Sequence, residues 1–144
     1  MVEKTCKCLC GAVSFVAEIE TTDFGVCHCK MCQRWSSGPS LTADAEINNL
    51  TGENDITFYQ SSEWAQRAFC SKCGSNLWYE IIAEGPNFGA KYMSAGVIDD
   101  LGGMKLATEI FIEEKPDAYC FSGDLLQMTG EEVFAAHSST ENGN

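Results

Sequence analysis

Long apolar runs are missing from this chain of 144 residues. No stretch of about 18 apolar residues occurs, and the first twenty residues hold no basic segment followed by an apolar one. These absences predict a soluble, cytoplasmic protein with no membrane partner. Positive charge is scarce too: 9 lysines and arginines stand against 21 acidic residues, for a formal net charge of −12. Nucleic-acid binding has to neutralise phosphates, and acidic lipid surfaces attract basic segments, so neither partner is expected. Helical periodicity is confined to about 131–136, and no internal repeat or linker interrupts the chain. One domain over 1–128 is the economical reading, followed by a small, polar, flexible tail over 129–144.

Cysteine, by contrast, is abundant, with 9 in the chain. All but Cys120 fall into three clusters: Cys6, Cys8 and Cys10; Cys27, Cys29 and Cys32; Cys70 and Cys73. An odd number of thiols in a reducing compartment argues for metal ligation rather than a disulfide framework. Between the clusters, short apolar and aromatic segments at 11–15, 41–43, 47–50, 56–59, 67–69, 77–82, 91–97 and 108–112 read as strands. Together with 44% hydrophobic and 10% aromatic residues, they predict an all-β globular domain with a packed core.

A C-x-x-C turn lets two sulfurs reach one tetrahedral zinc, and two such turns close a structural site. Spacing alone pairs Cys29 and Cys32 with Cys70 and Cys73, as in a zinc ribbon, leaving Cys6, Cys8, Cys10 and Cys27 as a less regular set. The sequence permits this partition, and nothing local excludes it.

Three segments carry a resemblance: Cys8-Leu9-Cys10-Gly11-Ala12-Val13, then Cys27-His28-Cys29-Lys30-Met31-Cys32-Gln33-Arg34, then Arg67-Ala68-Phe69-Cys70-Ser71-Lys72-Cys73-Gly74-Ser75. In this order they resemble the glutathione-dependent formaldehyde-activating enzyme family, which includes centromere protein V. The likeness spans roughly 5–125. It implies a β-tent fold, antiparallel sheets pinned by zinc, and it implies two zincs per chain. Cys8, Cys10, Cys70 and Cys73 would hold a structural zinc. Cys27, Cys29 and Cys32 would hold a second one with its fourth position open, as catalytic zinc requires. The implied activity is that of a carbon–sulfur lyase acting on a small thiol, with glutathione and formaldehyde as the family's pair.

Other residues take their expectations from this frame. Cys6 is a spare thiol, an alternative ligand, the fourth ligand of the second zinc, or a terminal thiol without a role. Arg34 offsets the thiolates or grips a substrate carboxylate, or is a surface arginine; Arg67 is assigned to strand-end salt bridging. His28 should point away from its flanking ligands, His137 is a poor ligand candidate in the tail, and Trp35, Trp64 and Trp78 belong to core or pocket wall. Ser36 and Ser37 are turn residues able to donate hydrogen bonds. The family's late His-Ile-Phe reads Glu109-Ile110-Phe111 here, and its Trp-Tyr reads Ala118-Tyr119, which argues for an altered grip on glutathione. Two other functions compete. One is a redox enzyme resembling methionine sulfoxide reductase B, with Cys120 as nucleophile, although a buried apolar role for that thiol is preferred. The other is a non-catalytic zinc module that binds a protein partner. Nothing in the sequence sets the oligomeric state.

Overall fold

The computed structural model describes residues 1–142, and side-chain surroundings through residue 137. The chain opens with the antiparallel hairpin β1 (Val2–Lys7) and β2 (Ser14–Ile19). Along β2 the period-two alternation is plain: Phe15, Ala17 and Ile19 are buried, and Ser14, Val16 and Glu18 are less so. β3 (Asp23–Cys27) leads through Cys29 into the short helix α1 (Lys30–Ser36). The next strand, β4 (Ser40–Thr51), is 12 residues long. Two short strands, 41–43 and 47–50, are expected there, with Asp44 and Glu46 interrupting the apolar pattern between them. The interruption is a change of partner. The first part of β4 pairs with β3 and β8, and the rest pairs with β2.

β5 (Ile56–Gln60), β6 (Ala65–Cys70), β7 (Asn76–Ile81) and β8 (Lys91–Ser94) form an antiparallel meander. β9 (Lys105–Ile110) and β10 (Leu126–Met128) follow. Among the described residues the strands form one ten-stranded sheet, ordered β10-β9-β3-β4-β8-β7-β6-β5, with the β1–β2 hairpin joined to β4. The all-β expectation holds. The antiparallel one needs correction at one edge, where β9 runs parallel to both β3 and β10.

Because β4 serves both ends of the sheet, the β1–β2 hairpin can fold over the meander. Phe15 of β2 meets Trp78 of β7 edge-on, with ring centroids 5.7 Å apart. Cys6, Val13, Ala17, Ala43, Ala68, Leu77 and Met93 fill the same core. The opposite face of the meander carries Arg67, Tyr79, Tyr92 and Asp44, which are cross-strand neighbours by register. α1 lies against this second face, with Trp35 stacked on Tyr59 at 6.1 Å and edge-on to Phe69 at 5.6 Å. For the segment after Cys32 the sequence predicts no helix, only turn residues at Ser36 and Ser37. The segment is a helix of seven residues, too short to show a period, and the turn-prone residues end it: Ser37 caps it in the left-handed conformation, ahead of Gly38 and Pro39.

The region expected as a tail begins with a capping box. The Thr129 hydroxyl accepts from the Glu132 amide at 3.1 Å while the Glu132 carboxylate accepts from the Thr129 amide at 3.0 Å. Helix α2 (Gly130–Asn142) follows, and its Phe134 meets Phe111 edge-on. The last part of that expectation, 143–144, lies outside the described residues. Among the described residues no helix is long and apolar enough to cross a membrane.

Gly52, just after β4, has φ +87°, and a Cβ on it would collide with the carbonyl of Ala12. The contact seats the turn that follows Cys8 and Cys10. Gly89 has a similar φ of +83° but open space around it. Gly89→Ala should therefore cost only the left-handed backbone term, about 1–2 kcal/mol, or a Tm loss of roughly 2–8 °C. Gly52→Ala should lose at least twice as much in the same thermal melt.

Candidate functional site

Two cysteine clusters form in the fold. In the first, the turn after β1 brings Cys8 and Cys10 to the end of β6 and the turn before β7, where Cys70 and Cys73 sit. All four sulfurs lie within 4.8 Å of one another. The Cys8–Cys10 and Cys10–Cys70 separations are 3.6 and 3.8 Å. A tetrahedron with metal–sulfur bonds of about 2.3 Å has edges of about 3.8 Å. A disulfide would need about 2.05 Å, so the spacing fits a shared metal ion. The surroundings suit thiolates as well. Val13 donates its amide to Cys8 Sγ at 3.3 Å, and Ser75 Oγ lies 3.2 Å from Cys73 Sγ. Hydrogen bonding from the Ser75 hydroxyl and amide lowers the Cys73 thiol to a pKa of about 5. The C-x-x-C turn is fixed by Gly74, at φ +78°, whose amide bonds the Cys70 carbonyl at 2.8 Å.

In the second cluster, Cys27 ends β3, Cys29 caps α1 and Cys32 sits in its first turn. Cys29 Sγ accepts the Cys32 amide at 3.3 Å. The three sulfurs again lie within 4.8 Å of one another. Hydrogen bonds from Cys27 and Cys32, helped by the charge of Arg67, hold Cys29 far below the usual thiol range. The same hydrogen bond with Cys29, together with burial, pushes Cys27 far above it. The protons of the three thiols are thus coupled, with Cys29 the most readily ionised. A metal ion would replace those protons. The soft, closely spaced donor set fits a thiophilic ion such as zinc, with three protein ligands.

The cation beside this cluster is Arg67, which is 3% exposed. Its Nη1 and Nη2 lie 3.8 and 3.7 Å from Cys32 Sγ, and its Nε donates to Ser61 Oγ at 3.1 Å. The guanidinium stacks against Tyr79 and Trp35, with Cζ 4.9 and 5.7 Å from the ring centroids. Sequence reasoning had weighted Arg34 instead and given Arg67 a strand-end salt bridge. Arg34 is exposed on α1, two positions after Cys32, and residues at that spacing do not share a helix face. The sequence signal was limited to the alternation of Arg67 with Ala68, which puts Arg67 on the face away from the core; its approach to Cys32 depends on pairing across the sheet.

The remaining candidates separate clearly. Cys6 is 2% exposed, belongs to the core cluster, and joins neither group of sulfurs. It packs inward because its strand-mates on that face are core residues, and burial raises its thiol to about 11. It shares that core cluster with Cys8 and Cys70 but stands outside both ligand groups, a spare thiol. His28 points to the opposite side from Cys27, as anticipated, and is fully buried with Nε2 2.9 Å from the Glu109 carboxylate. Glu109 also accepts from Gln127 at 3.2 Å. The carboxylate that stands in place of the family's histidine is thus tied up on the far face of β9, away from Cys27. Cys120 is exposed, not buried as preferred, and lines a separate cavity of about 270 Å3 with Glu109, Lys115 and Gln127. His137 lies on α2, outside both clusters. Trp78 is core and Trp35 is site wall, while Trp64 is 43% exposed and donates to the Tyr79 hydroxyl at 3.1 Å.

Comparison with known proteins places the chain in a family. The family described as glutathione-dependent formaldehyde-activating enzyme matches residues 3–114. An uncharacterized lyase of Schizosaccharomyces pombe is 30% identical over 134 residues, covering 92% of this chain and 96% of that protein. A candidate glutathione-dependent formaldehyde-activating enzyme of Halomonas elongata is 29% identical over 121 residues, covering 77% of this chain and 76% of that protein. A crystal structure of a Rhodobacter sphaeroides protein superposes with a TM-score of 0.54 at 24% identity, covering 69% of this chain and 96% of that one, which bears on the fold alone. The chain belongs to the glutathione-dependent formaldehyde-activating enzyme family.

Proposed function

We propose that this protein is a zinc-dependent carbon–sulfur lyase that makes or breaks a thiol–aldehyde adduct at Cys27, Cys29 and Cys32. Glutathione and formaldehyde, the pair named in the family description, are the candidate partners. In the forward direction the thiol loses its proton, its sulfur bonds to the aldehyde carbon, and the carbonyl oxygen gains a proton. Lysis reverses each step. The observation that carries the reading is three sulfurs gathered within 4.8 Å, with no fourth cysteine among the described residues joining them. A protein-partner module would need that site closed, and Cys6, the residue able to close it, is turned into the core.

The chain's own residues have distinct tasks. Cys8, Cys10, Cys70 and Cys73 would hold a structural zinc, tying the β1–β2 turn to the β6–β7 turn. Cys27, Cys29 and Cys32 would hold the second zinc, which supplies a Lewis acid able to keep a thiol ionised at neutral pH. Arg67 offsets the negative charge of the sulfurs through Cys32, and Tyr79 and Trp35 keep its guanidinium in place and exclude water from it. The Cys29 side chain, by capping α1, fixes the helix that carries Cys32.

Zinc analysis should return two ions per chain, with X-ray absorption showing one four-sulfur site and one site of three sulfurs plus a lighter donor. Two four-sulfur sites would overturn the open-site reading. Cys29→Ser should cost activity at least about a hundredfold and leave one zinc and the β-sheet circular dichroism in place, whereas Cys70→Ser should lose the fold.

Outer partners of metal ligands are typically worth ten- to a hundredfold in metal affinity. Arg67→Met should accordingly weaken zinc binding at the three-cysteine site by about that factor in a chelator competition, without releasing the other zinc. Arg67→Lys should recover part of the loss.

Cys120→Ser distinguishes the lyase from a reductase that uses Cys120 as nucleophile. Thiol–aldehyde turnover should stay within about twofold of the parent protein, and loss of all turnover would favour the redox enzyme.

A further inference from the structure

The space beside Cys27 bears on which part of a thiol substrate the protein reads. An open cleft of about 320 Å3 starts at Cys27 and runs over β3, β4, β8 and β9. Its lining includes Gly25, Thr42, Asp44, Tyr92 and Thr108, and the strand registers put these on the same face as Cys27. Gly25 forms the floor. A Cβ there would meet Thr108 at an ordinary 3.5 Å, so the missing side chain is space and not a backbone requirement.

The charges along this cleft have one sign. Asp23 and Asp44 line it, and no lysine, arginine or histidine does so among the described residues. Asp23 has Lys105 as its register neighbour on β9. Asp44 has Tyr92 opposite it on β8, with no ion pair recorded among the described residues. Partial desolvation in the cleft raises the Asp44 carboxyl; His137 opposes that shift, and Glu20 adds to it. Asp44 is thus an exposed carboxylate on the cleft with no ion pair among the described residues, open to a cation on a ligand.

The distance from sulfur to carboxylate follows from the register. Cys27 pairs with Ser40, and Asp44 lies four residues further along β4, a rise of about 13 Å. Allowing for the reach of an aspartate side chain and one hydrogen bond leaves roughly 8–10 Å, the span of a chain of about eight bonds.

Resting on the reading that a thiol sulfur sits at the three-cysteine site, we propose that Asp44 determines substrate specificity: it binds a primary ammonium about eight bonds from that sulfur, and the cleft takes amine-bearing thiols over thiols of the same length that end in a carboxylate. The γ-glutamyl amine of glutathione stands eight bonds from its sulfur. On this view the protein recognises the tripeptide by its amine, and its two carboxylates contribute little.

Three ligands test this: glutathione; 4-aminobutyryl-cysteinyl-glycine, which keeps the amine and drops the neighbouring carboxylate; and glutaryl-cysteinyl-glycine, which does the reverse. With cobalt in both cysteine clusters, thiol binding at the open site is read from sulfur-to-cobalt absorption. The four-sulfur site gives a constant signal that reports an intact fold. The 4-aminobutyryl peptide should bind at least as tightly as glutathione, and the glutaryl peptide about tenfold more weakly, the scale of one charge-assisted hydrogen bond. Asp44→Asn should reduce that ratio below about threefold, while Gly25→Val, by filling the floor, should weaken all three ligands alike. Equal binding of the amine and glutaryl peptides by the parent protein would overturn the inference without any variant. So would an unchanged ratio in Asp44→Asn. If no thiol perturbs the cobalt spectrum, the thiol-site reading falls, and the inference falls with it.

Discussion

Sulfurs gathered within 4.8 Å of one another cannot all be anions without a cation among them, and this requirement is built into the fold twice. At the first cluster, a divalent ion shared by four sulfurs would join turns some 60 residues apart in the chain. Such an ion would stand in for apolar area that a domain of this size has in limited supply. The Phe15–Trp78 contact lies between the two sheet segments whose turns the cluster ties, so the core and the sulfurs depend on each other. At the second cluster the charge is left unbalanced. Three thiolates and a divalent ion would sum to −1, and the buried guanidinium of Arg67 would bring the total to zero.

The strand period separates the two roles. Along β6, β7, β8 and β4, the residues Ala68, Trp78, Met93 and Ala43 face the core, while Arg67, Tyr79, Tyr92 and Asp44 face the chemistry. β4 makes this division work because it is long enough to leave one partner and join another. The parallel β3–β9 pairing then supplies the far wall of the cleft. On the core side of that pair, His28 and Glu109 bond to each other. The His28 amide reaches the Ile110 carbonyl at 3.0 Å, and Gln33 holds the His28 carbonyl at 2.6 Å. Those bonds fix the turn that presents Cys27 and Cys29. The Glu109 substitution was first a reason to doubt the grip on glutathione. Its position makes it a support for the ligand turn instead.

Much of this was legible from spacing. Cysteine motifs are local, so their order identified the family, and the family resemblance assigned Cys8 and Cys10 to Cys70 and Cys73, which local spacing alone had left open. Alternation placed His28 opposite its neighbours correctly because β3 stays regular up to Cys27. What could not be read depends on pairing across the sheet. Arg67 meets Cys32 only because α1 folds back over β6, and no property of either segment alone encodes that approach. For Cys6 the sequence left a spare thiol and a ligand equally open, and only the packing of β1 on the core leaves it outside both sulfur groups. Cys120 was misjudged because a short apolar neighbourhood, Tyr119 and Phe121, does not guarantee burial in a loop.

Net charge finally bears on the cleft as well as on the partners it excludes. With Arg67 balancing the proposed three-sulfur zinc, an incoming thiolate would restore a negative charge there, in a chain whose formal charge is already −12. Each further carboxylate on the ligand must enter the same field, and Asp44 and Asp23 oppose it locally. An ammonium on the ligand offsets the thiolate it arrives with and finds its complement at the far end of the cleft. For a protein this acidic, the electrostatically cheapest thiol to admit is one that brings its own cation, and the strand geometry sets where that cation has to be.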